Sequence, residues 1–195
     1  MRVTVVVPTY ARPAELARCL ASIRAQTIAP HEVLVTVRNT DVATRPVVEA
    51  LAATWPQLRI VSVTRAGVVA AMNAALDSAT GDIFALTDDD AEPAADWLER
   101  MGRVFDLETD VGGVGGKDLQ SGVADRRSDV GRLQWFGRVI GNHHTGTGAA
   151  RDVDVLKGAC CAFRMNALRT IRFDQRLRGQ VKDEIGLKFG YHARE

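Results

Sequence analysis

Apolar positions along the chain change period in a regular order. Val3 to Val7, in "VTVVV", form a continuous β-branched run closed by Pro8, which predicts a strand buried on both faces. From Pro13 the spacing becomes helical. Leu16, Leu20 and Ile23 recur on one face with Cys19 beside them, and Pro13 suits a first turn. "HEVLVTV" predicts a second strand, and "TRPVVEALAATW" a second helix with Val47, Val48, Leu51 and Trp55 on one side. "LRIVSVT", then "AGVVAAMNAALDSATG" stopped by Gly81, then "DIFALT" continue the alternation. Four strands and three helices in strict turn predict a parallel sheet with right-handed crossovers.

"PAADWLERMGRVFDL" reads as a further helix beginning near Pro93, after which the pattern loosens. From Val111 to Arg164 short apolar runs alternate with many glycines, as expected of an α+β half with mobile loops. No internal repeat, low-complexity tract or linker divides the chain.

At 195 residues the chain suits one domain with a single hydrophobic core. Its 25 basic and 24 acidic residues leave a formal charge of +1, which gives no footprint for nucleic acid. Cys19, Cys160 and Cys161 are odd in number and two are adjacent, so a disulfide framework is not expected; burial as small hydrophobes in a reducing compartment is. The apolar stretch before Pro8 is too short for a signal-peptide core, and no segment approaches a membrane-spanning length. A cytoplasmic location is therefore expected, and peripheral contact at the inner face of a membrane stays open.

The candidate chemistry lies at the end of the fourth strand, where Asp88, Asp89 and Asp90 stand side by side. Open parallel sheets bind ligands beyond the carboxyl ends of their strands. Two phosphate-binding motifs fail there. The first strand runs into "PTYARP" with no glycine turn for a dinucleotide, and "GGVGGKD" has Val111 where a P-loop needs glycine and Asp118 where it needs a hydroxyl. Two readings of the triplet remain. A divalent cation held by carboxylate oxygens could bridge the triplet to a diphosphate, with Asp88 and Asp90 on one side of an extended segment and Asp89 on the other. Alternatively, the triplet caps the helix near Pro93.

Taken in order from residue 3 to about residue 185, "VVVPTYARP", "ARCLASIRAQT", "AGVVAAMNAAL", "GDIFALTDDDAEPAADWL", "VLKGACCAFRMNAL" and "FDQRLRG" together resemble a family-2 glycosyltransferase. The resemblance implies an α/β, GT-A-like, Rossmann-type three-layer αβα sandwich with a mainly parallel central sheet. It implies one domain over 1–195, with a nucleotide-sugar-binding half over 1–110 and an acceptor-side half over 111–195. It also implies inverting transfer of a sugar from a nucleotide diphosphate sugar to the hydroxyl of a saccharide or lipid-linked acceptor, with Mg²⁺ or Mn²⁺ held by Asp88 and Asp90.

On the same ground Pro8, Thr9 and Tyr10 border the base, and Arg65, Gly67 and Asn73 the phosphates or ribose. Asp88 and Asp89 lie at the donor, and Glu184 is the base that takes the acceptor proton. Family members commonly carry a polar residue where Ala11 stands and an acidic pair where Val37 and Arg38 stand; Asp41 is the substitute carboxylate near Arg38 on the donor side. Trp135, His143, His144 and Arg178 fall in the acceptor-side segment. For Trp135 and Phe136, core packing is the expectation from residue type, with a sugar platform as the alternative. A zinc site joining the histidine pair to Cys160 and Cys161 is not expected from the spacing. Arg169, Arg172, Arg176 and Arg178 form either a solvated basic face or contacts to an anionic ligand. The segment before Glu184 looks shortened, and Gly186 stands where a second acid is common. The rival readings are a non-catalytic nucleotide-sugar-binding or partner module, and a sugar-phosphate nucleotidyltransferase, which the missing glycine-rich loop disfavours.

Overall fold

The structure, a computed structural model, describes residues 1–119, 129–168 and 170–174. The first half alternates as the periodicity predicts: β1 (Val3–Thr9), α1 (Pro13–Arg24), β2 (Glu32–Arg38), α2 (Arg45–Ala52), β3 (Leu58–Val63), α3 (Val68–Ser78), β4 (Ile83–Leu86) and α4 (Trp97–Leu107). The remainder supplies β5 (Gly113–Gly115), a hairpin of β6 (Arg132–Leu133) and β7 (Val139–Ile140), then β8 (Cys161–Arg164) and the single turn α5 (Met165–Leu168). The main sheet runs β3-β2-β1-β4-β8-β5. β1 pairs in parallel with both β2 and β4, and β2 with β3, while β8 runs antiparallel between β4 and β5. Residues from both sides of position 110 thus share one sheet.

The pleat of β1 sorts the core into two layers. Val3, Val5 and Val7 face Leu16, Leu20 and Ile23 of α1, together with Val48 of α2 and Leu98 of α4. Val6 faces the other way, with Leu34 and Phe84, onto Met72 and Leu76 of α3. Burying each such side chain contributes about 1.5–3 kcal/mol. Two-sided burial is why this strand reads as a continuous β-branched run with Thr4 buried inside it.

Two local expectations change, and a third feature finds its reason. The fourth helix starts at Trp97, because the segment after Pro93 is tied elsewhere: Ala94 O accepts from Gln26 Nε2 at 2.7 Å and Ala95 O from Thr27 N at 2.8 Å. Gln26 Oε1 then accepts the Leu98 N–H at 3.0 Å, serving the helix start from another element. The acidic triplet therefore lies in the loop ahead of the helix and does not cap it. Second, Gly81 does not stop α3, which ends at Ser78; a Cβ at position 81 would meet Arg2 O and Thr4 N, each at 2.8 Å. Third, Gly113, Gly115 and Gly116 of "GGVGG" sit where side chains of β8 and its approach crowd in, with Cys160 Sγ 2.5 Å from where a Gly116 Cβ would be. Their packing role explains the glycine run without a phosphate.

Candidate functional site

Four parallel strands place the segments after their carboxyl ends along one edge of the sheet. These are Thr9 to Arg12, Arg38 to Asp41, Arg65 to Gly67, and Asp88 to Asp90. Because β8 is antiparallel, with Cys161 opposite Leu86, the residues leading into it arrive at the same edge from the opposite direction.

Within the triplet the side chains alternate. Asp89 is buried, whereas Asp88 and Asp90 are exposed. Asp89 Oδ2 accepts the Thr9 hydroxyl at 2.8 Å and Asp89 Oδ1 accepts from Arg12 Nη1 at 3.1 Å. The same Nη1 reaches Asp90 Oδ2 at 3.3 Å. Burial pushes the Asp89 carboxyl up in pKa against the pull of Thr9 and Arg12. The Asp88 carboxyl is also pushed up, first by the protein packed around it and then by Asp90 and Asp89, with Lys157 and Arg12 opposing. Asp88 makes no side-chain hydrogen bond among the described residues, so it carries the least compensated charge of the three. Arg12 escaped the sequence reading; its signal was a cation in "PTYARP", in the loop that faces the acidic one.

The loop after β1 is strained and clamped. Ala11 has φ 56°, a left-handed conformation that alanine rarely adopts. Its N–H donates to Asp41 Oδ2 at 2.7 Å, and Asp41 Oδ1 accepts the Thr44 N–H at 3.0 Å. Burial alone would raise the Asp41 carboxyl, but these N–H groups outweigh it and hold the group below its ordinary value. Asp41 thus fastens the loop that carries Tyr10 and Arg12. Above it, the Arg38 guanidinium lies 5.4 Å from the centre of the exposed Tyr10 ring, a cation on an aromatic face at the rim of the edge.

On the other side, Lys157 pairs with Asp118. Underneath, Cys19 Sγ lies 3.4 Å from the Asp88 carbonyl oxygen. Burial, reinforced by Asp89, Asp88, Asp90 and Glu92, pushes the Cys19 thiol up to about 12. It stays a neutral packing group, as does Cys161, raised likewise. All three cysteines are free.

Arg65 and Gly67, the latter at φ 107° ahead of α3, lie exposed on the site edge. Asn73 Nδ2 donates to Phe173 O at 2.9 Å and its Oδ1 accepts the Phe173 N–H at 3.0 Å, which ties α3 to the segment after α5. Arg172 pairs with Asp77 at 3.0 Å on the exposed surface. His143 is buried with Nε2 2.9 Å from Val155 O, a brace within the acceptor-side segment, and His144 is partly exposed. Trp135 is 96% exposed and Phe136 56%, against the expectation of core packing. The reason is their position in a hairpin turn, where side chains project outward. Glu184 and Arg178, with Arg169 and Arg176, lie outside the described residues.

The donor set fits a hard dication in one respect. Asp88 and Asp90 present oxygen ligands on the open side, while Asp89 is turned inward. Among the described residues no group of three or more His, Cys, Asp or Glu could enclose an ion. Water and diphosphate oxygens would have to complete the shell.

Comparison with known proteins gives the same picture at larger scale. Over 112 residues the chain is 33% identical to the uncharacterized glycosyltransferase YwdF of Bacillus subtilis, an overlap of 56% of this chain and 39% of that protein. It is 29% identical over 101 residues to the glycosyltransferase AglE of Haloferax volcanii, covering 50% of this chain and 33% of that one. Among solved structures, the mannosyltransferase PcManGT from Pyrobaculum calidifontis, in complex with GDP-Man and Mn²⁺, superposes with a TM-score of 0.63 at 27% identity, over 86% of this chain and 46% of that one. TarS of S. aureus in complex with UDP has a TM-score of 0.67 at 18% identity, over 91% of this chain and 52% of that one, a likeness of fold. The chain thus spans about half or less of the length of these relatives. The α/β architecture with its mostly parallel sheet is the GT-A fold of these neighbours. With the "Glycosyl transferase family 2" model matching residues 4–172, nearly the whole stretch that builds the sheet and its acidic edge, the chain belongs to glycosyltransferase family 2.

Proposed function

We propose that this glycosyltransferase moves a sugar from a nucleotide diphosphate sugar to an acceptor hydroxyl, with inversion and with a divalent metal. The observation that carries the metal reading is the division of the triplet. Arg12 and Thr9 hold Asp89 inward, which leaves Asp88 and Asp90 facing the open edge where the parallel strands end. The nucleotide complexes of relatives support the donor class: GDP-Man with Mn²⁺ in PcManGT, and UDP or UDP-GlcNAc in TarS.

In this reading Pro8, Thr9 and Tyr10, with Arg38 stacked on Tyr10, border the base, and Arg65 and Gly67 approach the phosphates. Asp41 acts by fixing the loop, and Asn73 by fixing the segment around Phe173. Asp88 and Asp90 would hold Mg²⁺ or Mn²⁺, which when bound neutralises the departing diphosphate. Glu184 is the proposed base for the acceptor hydroxyl, and Trp135, His143, His144 and Arg178 belong to the acceptor side, His143 by bracing it. The acceptor is a saccharide or a lipid-linked one.

The test is thermal unfolding with UDP, GDP, dTDP and CDP, each with Mn²⁺ and with chelator. Saturation at about a hundred times the dissociation constant adds roughly 2.7 kcal/mol, which raises the midpoint by about 5 to 10 °C. The expected result is a metal-dependent shift with one nucleotide, lost in Asp90→Asn; no shift with any of them would remove the donor site. Glu184→Gln should abolish transfer and leave nucleotide affinity nearly intact. Nucleotide binding without transfer or hydrolysis by the unmodified chain would favour a binding module instead.

A further inference from the structure

The hairpin of β6 and β7 is a two-stranded sheet apart from the main one. Its turn runs Gln134-Trp135-Phe136-Gly137, closed by Gly137 N donating to Gln134 O at 2.8 Å, with Gly137 at φ 87°. The two central positions, where turns usually carry polar residues, hold the two bulkiest side chains of the segment. Their rings meet edge to face at 5.5 Å and are otherwise open to solvent. Leu133 and Val139 are cross-strand partners and both exposed, so one ribbon face continues the apolar tip. Arg132 and Arg138 flank it, Arg132 loosely paired with Asp154 at 3.7 Å and Arg138 exposed.

The geometry points to this hairpin tip as a docking element for an anionic lipid bilayer, with Trp135 and Phe136 entering the interfacial region and Arg132 and Arg138 lying against the headgroups. Shape and charge favour this occupant over others. Saccharide sites are concave, whereas this tip is a convex projection. A second copy would need about 800 Å² per partner for a stable pair, and two aromatic side chains supply only about 150–250 Å² each. The hairpin root also leads back to the site. Asp154 N and Val155 N donate to Gly131 O at 2.7 and 3.1 Å, and Lys157 follows directly, beside Asp118 at the sheet edge. The segment that braces the hairpin root therefore continues into the residues that arrive at the site edge ahead of β8. The inference deepens the proposed function by naming the surface through which a lipid-linked acceptor would be met.

The test is flotation of the full chain with phosphatidylcholine vesicles, with and without phosphatidylglycerol, in the absence of donor and metal. Of the three tryptophans, Trp55 and Trp97 are buried, so a blue shift of fluorescence on vesicle addition reports Trp135. The expected result is flotation of the parent chain with the anionic vesicles and a blue shift of its Trp135 fluorescence, with the flotation reduced at least about fivefold in a Trp135→Ser, Phe136→Ser variant whose thermal midpoint is unchanged. Arg138→Ser should weaken binding to the anionic vesicles by roughly threefold to fivefold. Absence of flotation, or equal flotation of the double variant, would overturn the proposal. So would self-association that the double variant abolishes without any vesicle binding, since the tip would then serve a second copy. Catalysis enters none of these readouts, so failure of the transfer reading would show separately.

Discussion

Arg12 Nη1 stands 3.1 Å from Asp89 Oδ1, across a sequence separation of 77 residues, and bridges the first loop of the sheet edge to the fourth. The chain thereby supplies its own counter-charge to part of the acidic triplet. The pair with Asp89 is largely buried; the contact to Asp90 is shared with solvent.

Replacing Arg12 by Ala should cost about 1–3 kcal/mol in urea denaturation, less than a fully buried pair because the guanidinium is partly exposed. Lysine should recover part of the loss, since it restores the charge without the fork. The same Ala variant frees Asp90 of its competitor, so Mn²⁺ alone should raise its midpoint by more than in the parent chain. Equal shifts would show that Asp90 does not share itself between arginine and ion.

Ala11→Asn should stabilise the chain. Asparagine tolerates the left-handed backbone that Ala11 adopts at φ 56°, where alanine costs about 1 kcal/mol, and the N–H offered to Asp41 is kept. A rise of about 1–4 °C in the thermal midpoint is expected. A fall would mean the position has no room for the amide.

At the opposite end of the sheet Glu32 is buried and accepts the Thr4 hydroxyl at 2.8 Å, the Thr80 N–H at 2.6 Å and Arg59 Nη1 at 2.6 Å. Burial alone would raise its carboxyl, but these donors outweigh it and the group lies below its ordinary value in the folded chain. Its contribution is therefore complete above the unfolded value of about 4.3 and is lost as pH falls through the folded value. Glu32→Gln should destabilise by roughly 2–4 kcal/mol near neutral pH. The gap between variant and parent in urea midpoint should close as the pH is taken below about 4. A gap independent of pH would assign the loss to packing.

Gly81→Ala should be among the most damaging single changes. Its Cβ would meet the backbone of Arg2 and Thr4, which cannot yield without breaking the start of β1 against β4. A loss above about 2 kcal/mol is expected by urea denaturation; a smaller one would show that the amino end of β1 can shift.

The strands and helices of the first half were legible because two-sided burial makes β1 and β2 mostly β-branched and apolar, with Thr4 and Thr36 as the polar members inside the runs, and because α1 keeps its apolar stripe in register. The exposure of Asp88 and Asp90 around a buried Asp89 matches what an extended segment would give, but here a turn closed by Ala91 N on Asp88 O at 3.2 Å produces it. Arg12 was not, since nothing local says that a cation before Pro13 will meet a carboxylate after β4. Gln26 escaped likewise: it lies beyond the end of α1 and serves the start of α4. Trp135 and Phe136 misled through a correct general rule, that large aromatics are buried, which lost here to the turn closed by Gly137. The stretch that forms β8 fell unresolved among the short apolar runs of the glycine-rich half, and its antiparallel place between β4 and β5 depends on a chain path that no periodicity records.

That placement also orders events during synthesis. β5 is made directly after α4, yet its strand partner is β8, so the outer edge of β4 stands uncovered until Cys161 to Arg164 have left the ribosome. A nascent chain halted before that point would present an unpaired, fully apolar strand edge, the kind of template on which chains stick to one another. Chaperone demand should therefore rise once β4 has emerged and fall once "CAFR" closes the sheet.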